Sequence, residues 1–317
     1  MGKIIGIGET VMDIIFRDDR PQEAVPGGST FNAMISLGRT LPSLRPDMRI
    51  IMVTEIGDDH IGDIMMSFME RNSVSTEAVT RRHGSQSNIS LAFLNQANDA
   101  SYEFYRDSAP VRNAPEAGES GQDLVFEKDD IVLFGSFYAV NPAIRERTAG
   151  LLKRAREAGA ILYYDLNFRK AHLKDLPEVI GNIRENIALS DFVRASSEDL
   201  RCVFGTSDGE KTYKQDIAPL CTSFILTNGA APTEIRTGKY SLKFPVEQFE
   251  TVSTIGAGDS FNAGFIYSLV RDGYCRGAVL TPEDWERLHA TATRFSSEVC
   301  RSMSNYVGKD FRKLLYL

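Results

Sequence analysis

With 317 residues, 42% of them hydrophobic and 25% charged, the chain has the make-up of an ordinary globular protein, which sets aside disordered, collagen-like and coiled-coil architectures. A formal net charge of −7 and a pI near 5.3 oppose the broad basic face that attracts nucleic acid or an anionic membrane, so neither is expected as a partner and small ligands remain. The length suits one large α/β core with a small appendage, a single domain over residues 1–317.

Along the chain, short apolar runs alternate with longer segments of helical period, the pattern of a mostly parallel sheet with helices on both faces. The opening run Met1 to Gly8 is too short for a signal peptide, and no apolar run approaches the ~18 residues of a membrane span, so a cytoplasmic location is expected. Strands are predicted over Lys3 to Gly8, Arg49 to Thr54, Asp130 to Phe134, Ala160 to Asp165, Asp191 to Ala195 and Ser223 to Thr227. Helices are predicted over Asn141 to Ala158 and Pro282 to Val299, the second with Thr281 as N-cap. Two segments, about 11–25 and 88–106, break the rhythm, and Ser90 to Leu94 and Ser101 to Tyr105 look like paired strands of a separate small sheet. Ala114 to Asp123 reads as an exposed loop. Cys202, Cys221, Cys275 and Cys300 are far apart with no C-x-x-C pair, which argues against zinc or dithiol chemistry.

The strongest chemical signal is Thr254-Ile255-Gly256-Ala257-Gly258-Asp259-Ser260-Phe261-Asn262-Ala263-Gly264, small residues leading straight into a helix. Phe261, Phe265, Ile266, Leu269 and Val270 fall on one helical face, which predicts an amphipathic helix with a presented N-terminus. Unpaired N–H groups and the helix dipole there suit the charge that spreads over a phosphoryl group in transfer. Asp259 beside them has the chemistry of a general base for an attacking hydroxyl. The bland alternative is a tight turn with Asp259 as a helix cap.

This segment resembles the D-T-x-G-A-G-D signature of ribokinase-like (PfkB) sugar kinases. Gly27-Gly28-Ser29-Thr30-Phe31-Asn32-Ala33 resembles the family's G-G-x-x-x-N-x-A element, and Gly57-Asp58-Asp59-His60-Ile61-Gly62 its G-x-D-x-x-G element. The matches come in the right order and span most of the chain. The resemblance implies an α/β fold with a central sheet, a small β lid formed by about 11–25 and 88–106, and ATP-dependent transfer to a sugar hydroxymethyl group. In that picture Gly256, Ala257 and Gly258 form the anion hole, with Thr254, Gly256 and Gly258 on the nucleotide. Asp13 accepts hydrogen bonds from sugar hydroxyls, and Gly27 and Gly28 remove side chains where a polyol meets backbone. Asn32 offers it a donor and an acceptor. Gly6-Ile7-Gly8 is no dinucleotide fingerprint, because Val11 stands where its third glycine belongs.

Tyr164-Asp165-Leu166-Asn167-Phe168-Arg169 resembles the D-x-N-x-R element of fructokinases and 2-keto-3-deoxygluconate kinases, which makes Asn167 and Arg169 ligand residues beyond a strand end. Arg106 matches a sugar-contacting lid position. In Arg194-Ala195-Ser196-Ser197-Glu198-Asp199, Ser196 and Asp199 take the places of the family's N-x-x-E, which holds Mg²⁺ through water, so Asp199 or its neighbour Glu198 is the metal candidate. Thr227 and Gly229 match the T-x-G nucleotide turn, with Pro232 in place of its last glycine. Ser253 replaces the aspartate that begins the signature, so K⁺ activation is expected to be weak or absent. The leading expectation is a ketohexose kinase, fructose first, working as a homodimer paired through the lid. Two alternatives are a sugar- or nucleotide-binding protein without turnover, and a kinase for a nucleoside or a sugar phosphate, the last using Arg106 with Arg112.

Overall fold

The computed structural model describes residues 2–95, 100–105 and 121–316. The first strand, β1 (Lys3–Ile7), lies near the middle of a nine-stranded sheet. To one side of it stand β4 (Arg49–Gly57) and the edge strand β5 (Val79–Arg82). To the other run β8 (Ile131–Gly135), β9 (Ile161–Asp165), β10 (Phe192–Ser196), β11 (Phe224–Asn228), β12 (Ala231–Arg236) and β13 (Ser241–Phe244). All neighbours pair in parallel except β11 with β12 and β12 with β13.

Alternation along the strands feeds two cores. Ile4, Ile131, Leu133, Ile161 and Tyr163 face one side and Ile5, Val132, Phe134, Leu162 and Tyr164 the other. The first face is covered by α1 (Ser29–Thr40), α7 (Ala257–Arg271) and α8 (Pro282–Cys300), while α2 (His60–Arg71) flanks the β4 edge. The second is covered by α3 (Arg145–Glu157), α4 (Leu176–Leu189) and α5 (Ser197–Phe204), followed by the single turn α6 (Gly209–Thr212). Thr281 caps α8 as the sequence indicates, its hydroxyl accepting from Asp284 N while the Asp284 carboxylate accepts from Thr281 N. The expectation for α7 needs correction: every residue from Asp259 to Val270 is buried, so α7 is a central helix packed all round, not an amphipathic one.

The small sheet has the order β3 (Arg20–Gly27), β2 (Val11–Arg17), β6 (Ile89–Leu94), β7 (Ala100–Tyr105). The segment about 11–25 is thus a hairpin, and β2 pairs in parallel with β6. The buried Ile15, Ala92 and Leu94 of this lid pack with Ile255, so the lid rests on the loop ahead of α7. The chain moves from β1 to one side for β4 and returns to the other for β8, which puts a topological switch point beside β1. Crevices beyond the carboxyl ends of the strands at such a point are where open α/β sheets bind ligands.

Candidate active site

Two cavities open at that end of the sheet. The smaller, about 660 Å³, lies under the lid and is lined by Asp13, Gly28, Asn32, Asn167, Arg169 and Asp259 among others. The larger, about 2100 Å³, runs over β10 and β11 past Thr227, Gly229, Glu198, Thr254, Gly256, Ala257 and Gly258. Both share Asn167, Arg169, Gly256 and Asp259 in their walls, so Asp259 looks into each.

Asp259 is only 7% exposed. Ser29 Oγ donates to its Oδ1 at 2.8 Å and Asn32 Nδ2 to its Oδ2 at 2.9 Å, both from the first turn of α1. Burial raises its pKa, and Asp165 raises it further, against the hydrogen bonds of Asn32 and Ser29 and the charge of Arg169. That shift moves a carboxylate toward the range where a base works well. Ser29 does not cap α1: Gly28, at φ 116°, holds the cap position without a side-chain bond, and the serine hydroxyl is free to orient Asp259.

The loop ahead of α7 folds as the small residues require. Gly256 adopts φ 75°, a left-handed turn that starts the helix, and Ala257 N donates to Thr254 O at 3.3 Å. Among the described residues the main-chain N–H groups of Gly258 and Asp259 have no acceptor, which leaves two donors and the positive end of this central helix facing the shared wall.

Asp13 is buried on β2, and Asn305 Nδ2 donates to its Oδ2 at 2.9 Å. The reason for Gly27 differs from the expectation of polyol contact: a side chain there would begin 1.9 Å from Asp13 Oδ2, so the glycine makes room for the carboxylate. Asn32 Oδ1 and Asn305 Oδ1 are buried acceptors with no partner among the described residues, and Asn32 faces the small cavity, where a hydroxyl donor would satisfy it. Asn167, at φ 36°, and Arg169 follow β9 as expected, with the Arg169 guanidinium 5.2 Å from the Tyr102 ring of the lid. Arg106 and Arg112 lie outside the described residues.

Residues 1–309 match the model of the pfkB family carbohydrate kinases. The chain belongs to that family. The kinase is 28% identical to a fructokinase of Rhizobium leguminosarum bv. trifolii over 282 residues, covering 85% of this chain and 80% of that one. It is 24% identical to an aminoimidazole riboside kinase of Salmonella typhimurium over 274 residues, 86% of this chain and 82% of the other. Its fold superposes on aminoimidazole riboside kinase of Salmonella enterica, solved with aminoimidazole riboside and an ATP analogue, with a TM-score of 0.80 at 21% identity and 99% coverage of both chains. Fructokinase of Vibrio cholerae O395, solved with fructose, ADP and a calcium ion, gives a TM-score of 0.79 at 19% identity over 96% of this chain and 94% of that one.

In the kinase the acidic residues after β10 have different surroundings. Asp199 spends its oxygens inside the fold: Oδ1 accepts from Phe168 N at 2.6 Å and Oδ2 from Ser196 N and Oγ at 2.7 and 2.6 Å, a reciprocal cap on α5. Glu198 lines the larger cleft and is 3.7 Å from Lys170. Among the described residues no cluster of three metal-ligating groups forms. Ser253 is fully buried, its Oγ accepting from Ile255 N at 3.2 Å. Pro232 lies in β12, opposite the irregular pairing near Asn228, where a missing N–H costs no ladder bond. No helix among the described residues is long and apolar enough to cross a membrane.

Sequence reasoning missed several groups here. Ser29 lies inside the Gly27 to Ala33 motif, but nothing in the sequence ties its hydroxyl to Asp259, 230 positions away. Arg194, Asn262 and Asn305 carry no local signal, because each acts through side chains far away in sequence: Asn262 Nδ2 donates to Asp165 Oδ2 at 2.7 Å while its Oδ1 accepts from Tyr163 Oη at 3.0 Å. His172, whose ring stacks on Phe137 with centroids 3.8 Å apart, closes the small cavity.

Proposed function

We propose that the protein transfers the γ-phosphoryl group of ATP to a hydroxymethyl group of a ketohexose, fructose first, with Asp259 as general base. The observation that carries this is the shared wall: a small cavity under the lid and a longer cleft over β10 and β11 meet at a hydrogen-bonded, buried carboxylate and the N-terminus of α7. The acceptor lies on Asp13, Gly28, Asn32, Asn167 and Arg169, under the lid. The nucleotide lies along Thr227, Gly229 and Thr254. As the acceptor oxygen bonds to the γ-phosphorus, its proton passes to Asp259 and the bridging P–O bond breaks, its electrons leaving with ADP. The N–H groups of Gly258 and Asp259 steady the charge in transit, and the lid keeps out water.

Glu198, in the wall of the nucleotide cleft, would hold through water a Mg²⁺ brought by the nucleotide, and the ion would supply charge neutralisation of the phosphates. The reading includes a cytoplasmic location and weak or absent activation by K⁺, since Ser253 offers no charge to a cation. It also includes a homodimer through the lid, supported by Tyr105, which is 58% exposed on the edge strand β7. A coupled assay over a panel of sugars and nucleosides tests the function. Fructose-dependent ADP release is the expected result, and no acceptor-dependent release from any member sinks the proposal. A nucleoside acceptor is the second reading, supported by the flat wall of His172 on Phe137 with Phe104 beside it, a surface suited to a planar base.

The pH profile of acceptor binding is a further expected result. Burial pushes the Asp13 pKa up to about 7, with Asp259 and Glu9 adding to the rise and Ser90 and Arg169 opposing it. A folded-state pKa above the unfolded value means that the folded protein holds a proton the unfolded chain has lost. Asp13 therefore makes stability fall as pH rises from about 4 to about 7. Hydroxyl donors from the acceptor favour the ionised carboxylate, so acceptor KM is expected to fall as pH rises through neutrality, with proton release on binding. Calorimetry in buffers of different ionisation enthalpy reads that release. An Asp13→Asn variant should lose the release, and a KM in the native protein that is flat with pH rules out this role.

A further inference from the structure

The site contains a buried cation that the chemistry above does not use. Arg194, on β10, is 7% exposed, and its Nη1 donates to Asp165 Oδ1 at 3.0 Å and its Nη2 to Thr227 Oγ1 at 2.6 Å. A guanidinium has five N–H donors. Among the described residues these two bonds are the ones its side chain makes, and Nε is buried without an acceptor. The terminal nitrogens press against the anion hole: a Cβ on Gly258 would stand 2.8 Å from Nη2 and 3.1 Å from Nη1. Gly258 is thus small because the guanidinium lies against it. Arg194 also forms part of the nucleotide cleft wall. The charge is fixed in place, since Asp165 is itself anchored by Asn262 at 2.7 Å. Burial opposes the charge, but Asp165 and Asp199 hold the guanidinium more basic than an ordinary arginine.

We propose that the terminal N–H edge of Arg194 contacts phosphate oxygens of the bound nucleotide beside Gly258 and steadies the charge that passes to the departing diphosphate. This rests on the phosphoryl-transfer reading of the cleft. As the acceptor oxygen bonds to the γ-phosphorus and gives its proton to Asp259, the electrons of the breaking P–O bond collect on the bridging oxygen. A cation already in position lowers the energy of that state more than of the bound substrate. The competing role is that of a strut, in which Arg194 merely ties β9 to β11 through Asp165 and Thr227.

Charge and strut separate on replacement, because Arg194→Lys keeps the charge but cannot brace both partners, whereas Arg194→Met loses both. The measurements are kcat, acceptor KM, and calorimetric affinity for ADP and a non-hydrolysable ATP analogue with Mg²⁺. Arg194→Met is expected to lose about 10²-fold in kcat and to weaken both nucleotides about tenfold, with acceptor KM within about twofold. Arg194→Lys should recover most of kcat. If Arg194→Met does not fold, Arg194→Gln, neutral but able to hydrogen-bond, takes its place. The proposal is overturned if the neutral variant binds nucleotides as the native protein does, or if the lysine variant is as impaired as the neutral one. It is also overturned if neither neutral variant folds while the lysine variant does, which marks the cation as a structural counter-ion of Asp165. A native protein that binds neither nucleotide would instead overturn the phosphoryl-transfer reading itself.

Discussion

Asp259→Asn is expected to lower kcat by about 10² to 10⁴-fold while leaving acceptor and nucleotide affinity near native. The substitution removes a proton acceptor and little else, because both partners of the side chain can adapt. Ser29 Oγ donates now but can rotate to accept from the new amide, and Asn32, whose Oδ1 has no partner, can turn over to present that oxygen. The packing of α7 against β9 through Asn262 does not involve Asp259, so the fold should persist. Calorimetry with the acceptor and with ADP, next to steady-state kinetics, separates the outcomes. Binding retained with turnover lost identifies the base and dismisses a protein that only binds. Turnover within a few-fold of native would remove Asp259 from the chemistry and with it the proposed mechanism.

The parts of this site that sequence reveals are those built from neighbours in the chain. Gly-Ala-Gly-Asp before a helix announces a helix N-terminus with uncovered amides, since small residues, a left-handed turn and the acid occur within four positions. The parallel strands β1, β4, β8, β9, β10 and β11 were legible because they are largely buried on both faces and read as short apolar runs, whereas the half-buried parallel edge strand β5, Val-Thr-Arg-Arg, was not. Strands β12 and β13 were not, because Pro232 and the polar alternation of Ser241 to Phe244 resemble a loop until β11 supplies a partner. The reading of α7 as amphipathic failed for a related reason: Ser260, Asn262 and Ser268 look solvated in a helical wheel, yet Asn262 spends its polar atoms on Tyr163 and Asp165 inside the fold. Asn305 is the extreme case. Its bond to Asp13 joins positions 292 residues apart, and nothing near it in sequence hints at a site.

That same Asn305 sets the consequence of Gly256→Ala, a change with large effects on both stability and rate. Gly256 sits at φ 75° and ψ −1°, where an L side chain costs about 1–2 kcal/mol. The new Cβ would also stand 2.2 Å from the Asn305 carbonyl oxygen. The obstacle is backbone, which cannot swing aside as a side-chain tip would, and overpacking of this kind adds about 1–3 kcal/mol. A loss of several kcal/mol lowers Tm by roughly ten degrees in a chain of this size, readable by scanning calorimetry. The loop at Asn305 has to yield, and because Asn305 Nδ2 holds Asp13 Oδ2 at 2.9 Å, the carboxylate that receives the acceptor moves with the anion hole. Both kcat and acceptor KM should therefore worsen, kcat by about 10²-fold for a displacement near 1 Å. A variant with native Tm and native kcat would show that this turn is neither rigid nor part of the phosphoryl site, since a single methyl group cannot enter the space between Gly256 and Asn305 without moving one of them.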